Sequence, residues 1–379
     1  MERTSWPLIL LLYLAGLLSA MQFAKVSLTL GEAELVWRDA PVAFLVSAVA
    51  VVGVAAGALA GAFVARFGAR PAILWALGLS GALSLLQALL PPFPVMLALR
   101  VGEGLGHLAL VVALPTLMAA RSAPSDRPVV MGLWGTFFGV GFAILGAVLP
   151  WAGGFGPGTV YAWHGVACLI LLPVMWRTVP RIMTRGASFP GVIAIHRAIY
   201  GNVRLVVPGL AHGIYTSLFI ALVALVPGAL NALWLTPLLP LSNLAGTFAS
   251  GFVARTVRPG HIATGAFLAS CIGFAGTAAL ADGPAAPWLL LVTFAATGLL
   301  AGANFAAVPA LNADPADQAR ANGGMAQMGN VGTFAGTPLL AAALASGGAG
   351  AVLLTAAAIC AVGAIAAGSL YARAARTAA

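Results

Sequence analysis

An arginine, a carboxylate and an imidazole lie close together in an otherwise apolar run. Arg100, Glu103 and His107 occur in "ALRVGEGLGHLAL". On a helix of about 100° per residue, Glu103 lies about 60° from Arg100 and His107 about 20° from it, so the three share one face. Such a face could relay a proton or bind a polar substrate. The alternative is an Arg100–Glu103 pair that neutralises itself and only braces the helix bundle.

Glu103 is the only acidic residue well inside an apolar run, which makes it our candidate for proton coupling. Lys25 is the only lysine, and it shares a helix face with Gln22. Its amine either snorkels to an aqueous interface or joins Arg100 in a site where two cations and one carboxylate attract an anion. Arg100, His107 and Lys25 are therefore candidate substrate-binding residues.

The candidates in the second half of the chain are neutral, and each lies in an apolar run. They are His212 and Tyr215 on one helix face, Asn304, and Gln327 with Asn330. Amides inside apolar helices either contact a substrate or link neighbouring helices by hydrogen bonds. The residues alone leave both alternatives open.

The composition indicates that a membrane surrounds these residues. Of the 379 residues, 61% are hydrophobic and 7% are charged, whereas a soluble domain has about 25% charged residues. The net charge is +9. Because the arginines are scattered singly between apolar runs, they favour membrane orientation over nucleic-acid binding. The cysteines, Cys168, Cys271 and Cys360, lie in separate apolar runs without metal or redox spacing.

Charges and Pro-Gly clusters divide the chain into twelve predicted membrane helices, each of roughly 19–26 residues, the length that spans a bilayer core. They lie near residues 6–28, 42–64, 71–91, 94–119, 129–151, 159–177, 205–227, 231–253, 261–281, 286–311, 322–345 and 349–371. A signal peptide is an alternative for the first run, but its apolar character continues past residue 20. We predict six-helix bundles over 1–178 and 205–379, joined by a central loop at 179–204.

The arginines predict the orientation of these helices. With a cytoplasmic N-terminus, fifteen of the eighteen Lys and Arg residues fall on the inner side. Lys25, Arg38 and Arg100 are the exceptions. The expected location is the inner membrane, with both termini and the central loop in the cytoplasm.

The two halves resemble each other in sequence. Residues 102–119 align without gaps with 296–313, six predicted spans later, and "FVAR" occurs at 63–66 and 252–255, after spans two and eight. Parallel six-helix repeats place a substrate site between the halves, near the middle of the membrane.

Twelve spans in two halves with a basic central loop resemble the major facilitator superfamily. Its signature loop between spans two and three reads roughly G-x-x-x-D-R-x-G-R-R, and the loop here is "GAFVARFGAR". Gly61, Arg66, Gly68 and Arg70 fit, and the resemblance implies a gating role for them. Ala65 stands in the place of the acid and Ala69 replaces a base, which puts the usual charge lock in doubt. Arg100, Gly104 and Gly106 fit the fourth-span pattern of the family.

The stretch "RPVVMGLWG", at 127–135, is similar to the start of span five in the cyanate and 2-nitroimidazole transporter subfamily. Its glycines, Gly132 and Gly135, would let span five approach a neighbouring helix closely. Trp134 either lines the inner cavity, as a candidate substrate-binding residue, or belongs to an interfacial aromatic belt.

No nucleotide loop, zinc spacing or nucleophile elbow occurs in the sequence, so we expect neither an enzyme nor a cofactor or metal requirement. The expected function is alternating-access secondary transport of a small anion or compact polar metabolite, coupled to protons. Export of drugs or apolar metabolites is the alternative, and a membrane sensor or assembly factor is a third class. We expect a monomer in contact with membrane lipid and without nucleic acid.

Overall fold

The structure is a computed structural model that describes residues 3–38, 40–42, 44–152, 156–181 and 191–376. Within these ranges the regular secondary structure is helical throughout. The helices are α1 Trp6–Ser27, α2 Leu30–Val36, α3 Phe44–Phe67, α4 Ala69–Ala88, α5 Phe93–Ala120, α6 Arg127–Gly135, α7 Phe137–Ala152, α8 Gly156–Thr178, α9 Val192–Tyr200, α10 Val203–Ala229, α11 Leu235–Val253, α12 Pro259–Ala279, α13 Ala286–Leu311 and α14 Pro315–Arg376. The predicted all-helical membrane architecture is confirmed.

The described residues contain nine helices that are long and apolar enough to cross a membrane, or ten if α6 and α7 form one bent span. Helix α14 has 62 residues and loses helical geometry at Gly347 and Gly348, so it covers the last two predicted spans. The 19-residue helix α11 covers the eighth predicted span. The number twelve therefore stays a prediction. Residues 182–190, including Arg185 of the predicted central loop, lie outside the described residues.

The predicted fifth span is not one straight helix. Helix α6 ends at Gly135, and α7 begins at Phe137 with a bend of 45° between the two. Between them, the Thr136 hydroxyl donates to the carbonyl of Leu133 at 2.7 Å. A glycine beside a hydroxyl that bonds back to the preceding turn is a common cause of a sharp kink.

The residues group by packing into two compact units. Unit 1 comprises Met1–Ser122, Phe137–Ile195 and Pro315–Ala326, and unit 2 comprises Ala123–Thr136, His196–Asp314 and Gln327–Ala379. In unit 1, α5 packs against α1, α3 and α4, and α4 also packs against α8. In unit 2, α13 packs against α6, α10, α11 and α12. The predicted boundaries of the two six-helix bundles stay a prediction.

Close helix crossings explain why two short segments belong to units that are otherwise built from distant parts of the sequence. Pro315–Ala326 belongs to unit 1 and Ala123–Thr136 to unit 2. In unit 1, a methyl group added at Gly61 of α3 would lie 2.7 Å from the carbonyl oxygen of Ala319 in α14. In unit 2, a methyl group at Gly132 of α6 would lie 2.8 Å from the Cα of Gly251 in α11. Only glycine permits backbones to approach so closely, so these contacts hold the start of α14 against α3 and α6 against α11.

Candidate functional site

Three charged side chains lie fully buried in unit 1. The Lys25 ammonium on α1 lies 2.6 Å from Oε1 of Glu103, and the Arg100 guanidinium lies 2.5 Å from Oε2 of the same carboxylate. All three side chains have no solvent exposure. The structure thus forms the predicted Arg100–Glu103 pair and adds Lys25 to it. Burial of Lys25 argues against the snorkelling alternative.

Helix α4 supplies neutral partners for this cluster. The Lys25 ammonium donates to the Ser84 hydroxyl at 2.6 Å, and the Gln87 amide donates to Oε2 of Glu103 at 2.9 Å. Helix α4 packs directly against α5, so its polar side chains lie within reach of Arg100 and Glu103. The carboxylate therefore accepts hydrogen bonds from two cations and one amide.

Helix α8 closes the other side of the cluster. The Lys25 ammonium lies 5.3 Å from the ring centre of Tyr161, within the range of a cation–π contact. Nδ1 of His164 lies 3.0 Å from the Ser84 hydroxyl and 3.8 Å from Oε1 of Glu103. The other ring nitrogen, Nε2, lies 3.0 Å from the Leu18 carbonyl oxygen.

The partners on α4 and α8 were not predicted from the sequence; they are Ser84, Gln87, Tyr161 and His164. One signal was present. Ser80, Ser84 and Gln87 follow one another at spacings of four and three residues, so they form a polar stripe on one face of an otherwise apolar span. The Ser80 hydroxyl accepts a hydrogen bond from the Gln22 amide at 2.9 Å.

The Arg100 side chain is held by backbone as well as by Glu103. Its Nε donates to the carbonyl of Leu45 and its Nη1 to the carbonyl of Gln22, each at 2.8 Å. Its buried Nη2 has no hydrogen-bond partner among the described residues. With Lys25, Arg100 and Glu103 ionised, the cluster carries one uncompensated positive charge. The Nη2 group of Arg100 is in addition a donor without an acceptor among the described residues.

His107 lies apart from the ion pairs, although it shares a helix face with them. Its Nδ1 lies 2.9 Å from the Ser19 hydroxyl and 3.1 Å from the Ser19 carbonyl oxygen. Its ring packs edge-on against Phe23, with 4.9 Å between ring centres. The structure therefore brings Arg100 and Glu103 together and joins His107 to α1 instead.

In unit 2, Tyr215 belongs to a neutral hydrogen-bonded chain. Its hydroxyl donates to Oδ1 of Asn243 at 2.9 Å, and the Asn243 amide donates to the Thr297 hydroxyl at 3.0 Å. Asn243 and Thr297 were not identified from the sequence. These hydrogen bonds link α10, α11 and α13, so Tyr215 stabilises the packing of the three helices.

His212 and Asn304 each keep one buried nitrogen without a hydrogen-bond partner among the described residues, Nδ1 and Nδ2 respectively. The His212 ring packs against Tyr215 and Phe305, with ring centres 5.6 Å and 5.2 Å away. Oδ1 of Asn304 accepts from the Tyr371 hydroxyl at 3.1 Å, which links α13 to α14 as expected of a bridging amide.

Gln327 also links helices. Its Oε1 accepts from the hydroxyl of Tyr200, in α9, at 2.7 Å, and its amide lies 3.4 Å from Nε2 of His196. Burial raises the pKa of Tyr200 to about 12, so the hydroxyl stays a donor at neutral pH. Asn330, three residues after Gln327 on α14, is half-buried.

Trp134 lies inside unit 2 and not in an exposed belt. The side chain has no solvent exposure and packs edge-on against Phe305, with ring centres 6.3 Å apart. The glycines beside it permit this position, because α6 approaches α11 closely at Gly132.

The predicted gating loop joins α3 and α4. Gly68 has a φ of 88°, a left-handed conformation that side chains disfavour, so glycine is required there. The Arg70 guanidinium donates to the carbonyl of Trp176 in α8 at 2.5 Å. The Arg66 guanidinium lies 5.2 Å from the centre of the Phe67 ring. In unit 2 the second "FVAR" ends in Arg255, which lies 3.3 Å from the carboxylate of Asp126.

Comparison with solved structures shows the same fold in known transporters. The human organic anion transporter MFSD10 (TETRAN) superposes with a TM-score of 0.78 at 17% identity, covering 95% of this chain and 98% of that chain. The proton:xylose symporter XylE superposes with a TM-score of 0.75 at 17% identity, covering 94% of each chain. The E. coli fucose:proton symporter FucP superposes with a TM-score of 0.74 at 15% identity, covering 96% of this chain and 98% of that chain.

A comparison with curated proteins gave no match. The family model described as Major Facilitator Superfamily matches residues 12–233, which include the ion cluster and the gating loop. This match covers more than half of the chain and agrees with the shared fold. The chain belongs to the major facilitator superfamily of membrane transporters.

Proposed function

We propose that this protein is a secondary active transporter that moves a small anion or compact polar metabolite by alternating access, coupled to protons. The observation that carries the proposal is the buried cluster of Lys25, Arg100 and Glu103 in unit 1, with its excess positive charge. An uncompensated charge away from water costs several kcal/mol. A bound anion would offset that cost.

Arg100 is suited to bind the anion. Its guanidinium presents donors in a planar fork that matches carboxylate and similar oxyanions. Nε and Nη1 are occupied by backbone and by Glu103, whereas Nη2 has no partner among the described residues. An incoming anion would supply the missing acceptor.

The names of similar proteins point to the same class. One structural neighbour is an organic anion transporter, and two others are proton symporters. The stretch at 127–135 resembles the cyanate and 2-nitroimidazole transporter subfamily, which favours a small substrate. We extend the proposal to a monomeric protein of the inner membrane with both termini in the cytoplasm. We propose no enzymatic reaction, cofactor or nucleic-acid partner.

A binding screen on the purified protein tests this proposal. Nitrate, cyanate, acetate and benzoate are compared with cationic apolar drugs for their effect on the thermal unfolding midpoint. We expect at least one anion to raise the midpoint and the Arg100→Ala variant to lose that response. Arg38→Ala is the matched control, because Arg38 is exposed. Stabilisation by the drugs alone would favour the exporter alternative and contradict the proposal.

Transport is then measured in proteoliposomes with the anion that binds. An inward proton gradient should drive accumulation by the parent protein and by Arg38→Ala, but not by Arg100→Ala. Accumulation that is equal with and without the proton gradient would contradict proton coupling and leave anion transport standing.

A further inference from the structure

We propose that Lys25 carries the coupled proton: its Nζ atom binds a proton when the anion binds and releases it when the site is empty. This inference rests on the proposed anion transport. It differs from the sequence prediction, which placed the proton on Glu103. The contacts in unit 1 favour Lys25 as the carrier of the proton.

The charges of the cluster permit only one favourable titration. Lys25 and Arg100 are cations and Glu103 is an anion, and all three are fully buried. Protonating Glu103 would leave two buried cations without a counter-charge. Arginine does not release its proton in proteins. Loss of the Lys25 proton removes the excess charge and leaves a neutral Arg100–Glu103 pair.

His164 cannot replace Lys25 in this role. A proton on its ring would add a second excess positive charge next to Lys25. Nε2 of His164 faces the Leu18 carbonyl oxygen, an acceptor that holds the ring N–H there. Nδ1 lies 3.0 Å from the Ser84 hydroxyl oxygen, and the one hydrogen of that hydroxyl can be donated either to Nδ1 or to the Tyr161 carbonyl oxygen, 2.8 Å away. The neighbouring ammonium therefore favours a neutral His164, and Ser84, which contacts the ring, accepts from Lys25.

The helices around Lys25 agree with this assignment. Helix α4, which contacts Lys25 through Ser84, has one ionisable residue, Arg70, in its first turn. Helix α7 has no ionisable residue in its sequence. Helix α8 presents Tyr161, His164 and Cys168, and α5 presents Arg100, Glu103 and His107. On α3 the only ionisable residue is Arg66, in its last turn. On α2 they are Glu32 and Glu34, which are exposed.

The neutral amine can remain in place without losing its contacts. A neutral amine keeps two N–H donors, enough for Oε1 of Glu103 and the Ser84 hydroxyl, which both lie 2.6 Å away. Its lone pair faces no fixed donor among these contacts and is the place where a proton from water binds. Release and uptake of the proton therefore need no rearrangement of α1.

Anion and proton are then linked. An anion beside Arg100 cancels the excess charge of the protonated cluster, so it favours the ammonium form of Lys25. By reciprocity, a proton on Lys25 favours anion binding by the same factor. A monovalent anion and one proton load together from one side and leave together on the other, with no net charge moved. This differential interaction is what symport requires.

The single lysine allows a direct measurement. Full-length protein is labelled with 15N at the lysine side chain and placed in lipid nanodiscs, so that one Nζ signal reports the charge of Lys25. Spectra are taken at one pH, chosen so that the empty protein shows neutral amine, before and after adding nitrate, cyanate, acetate or benzoate. We expect an anion that binds to convert the neutral signal into the ammonium signal.

A Lys25→Arg variant gives an independent test, because arginine keeps the charge but cannot release a proton. We expect it to exchange labelled anion for unlabelled anion across proteoliposomes and to lose accumulation driven by a pH gradient. The exposed Arg38→Gln variant is the control and should retain both activities.

The outcomes separate the two proposals. If an anion binds while the Nζ signal does not change, anion transport stands and Lys25 is not the carrier. If Lys25→Arg accumulates anion as the parent does, the inference is also overturned. If no anion of the panel binds or is transported, the proposed function fails and this inference fails with it. A Lys25→Arg variant that does not fold leaves the decision to the spectra.

Discussion

Removing Glu103 should destabilise the protein far more than removing Lys25, although the two residues form one salt bridge. At a pH at which Lys25 is protonated, Glu103→Gln leaves Lys25 and Arg100 as two buried cations with no counter-charge. Lys25→Met leaves Arg100 and Glu103 as a neutral pair that keeps its 2.5 Å contact. A simple count of broken contacts would predict similar losses for the two variants.

The size of the difference follows from the distances. At an effective dielectric constant of about 20, a contact of 2.5–2.6 Å gives an attraction of about 6 kcal/mol for each cation with Glu103. The two cations contact the same carboxylate and are at most about 7 Å apart, so they repel by at least about 2 kcal/mol. Glu103→Gln loses both attractions and keeps the repulsion.

Desolvation reduces these values in the measured free energy of unfolding. Breaking a buried ion pair by removing one partner typically costs about 3–5 kcal/mol, and we expect this loss for Glu103→Gln. Lys25→Met loses one attraction, but it also removes the repulsion and the cost of burying an ammonium group. We therefore expect Lys25→Met to cost under about 2 kcal/mol.

The assay is equilibrium unfolding in detergent micelles without added anion, followed by tryptophan fluorescence at a pH low enough that Lys25 is protonated in the empty protein. Glu34→Gln is the matched control, because it makes the same substitution at an exposed residue and should change the free energy of unfolding by less than about 0.5 kcal/mol. Equal losses for Glu103→Gln and Lys25→Met would refute the claim that the cluster holds an excess positive charge.

Three further variants test other contacts. Gly61→Val places its Cβ 2.7 Å from the Ala319 carbonyl oxygen, so we expect weaker packing of α3 on the start of α14. Cysteine side chains should then react more with a reagent added on the proposed cytoplasmic side. Unchanged labelling would count against this. Ala65→Asp restores the acid of the family loop and should shift the population towards the outward-facing state, which equal cysteine accessibility from both sides would contradict. Tyr215→Phe removes a hydrogen bond to Asn243 and should lower the free energy of unfolding by about 0.5–1.5 kcal/mol; no measurable loss would show that the bond contributes nothing.

The positions of the helices follow from the sequence more closely than their number does. The predicted span at 286–311 coincides with α13, because alanine and proline mark its start and an asparagine follows its end. The last two predicted spans, 322–345 and 349–371, lie on the two sides of Gly347 and Gly348, where α14 loses helical geometry. The bend between α6 and α7 was missed, because apolar periodicity continues through Thr136 and only the hydrogen bond to the preceding turn reveals it.

The site was predictable within a helix and not between helices. The fixed geometry of one helix brings Arg100 and Glu103 together, so their spacing was sufficient. Lys25 lies 78 residues from Glu103 in sequence, and nothing in the chain gives the rotation of α1 relative to α5. For the same reason His164 was not predicted as a partner of Glu103. It is a histidine in an apolar span, as are the candidates His107 and His212.

The two units differ in the chemistry available to them. Among the described residues, the charged side chains that are fully buried are Lys25, Arg100 and Glu103, and all three belong to unit 1. The buried polar contacts of unit 2 join neutral groups, as between Tyr215 and Asn243. Neutral hydrogen bonds contribute to affinity and packing, but they do not take up protons at neutral pH. In the proposed transporter, proton coupling therefore depends on unit 1. Substitutions in the neutral chain of unit 2 should then change substrate affinity or stability without changing the number of protons that accompany each anion.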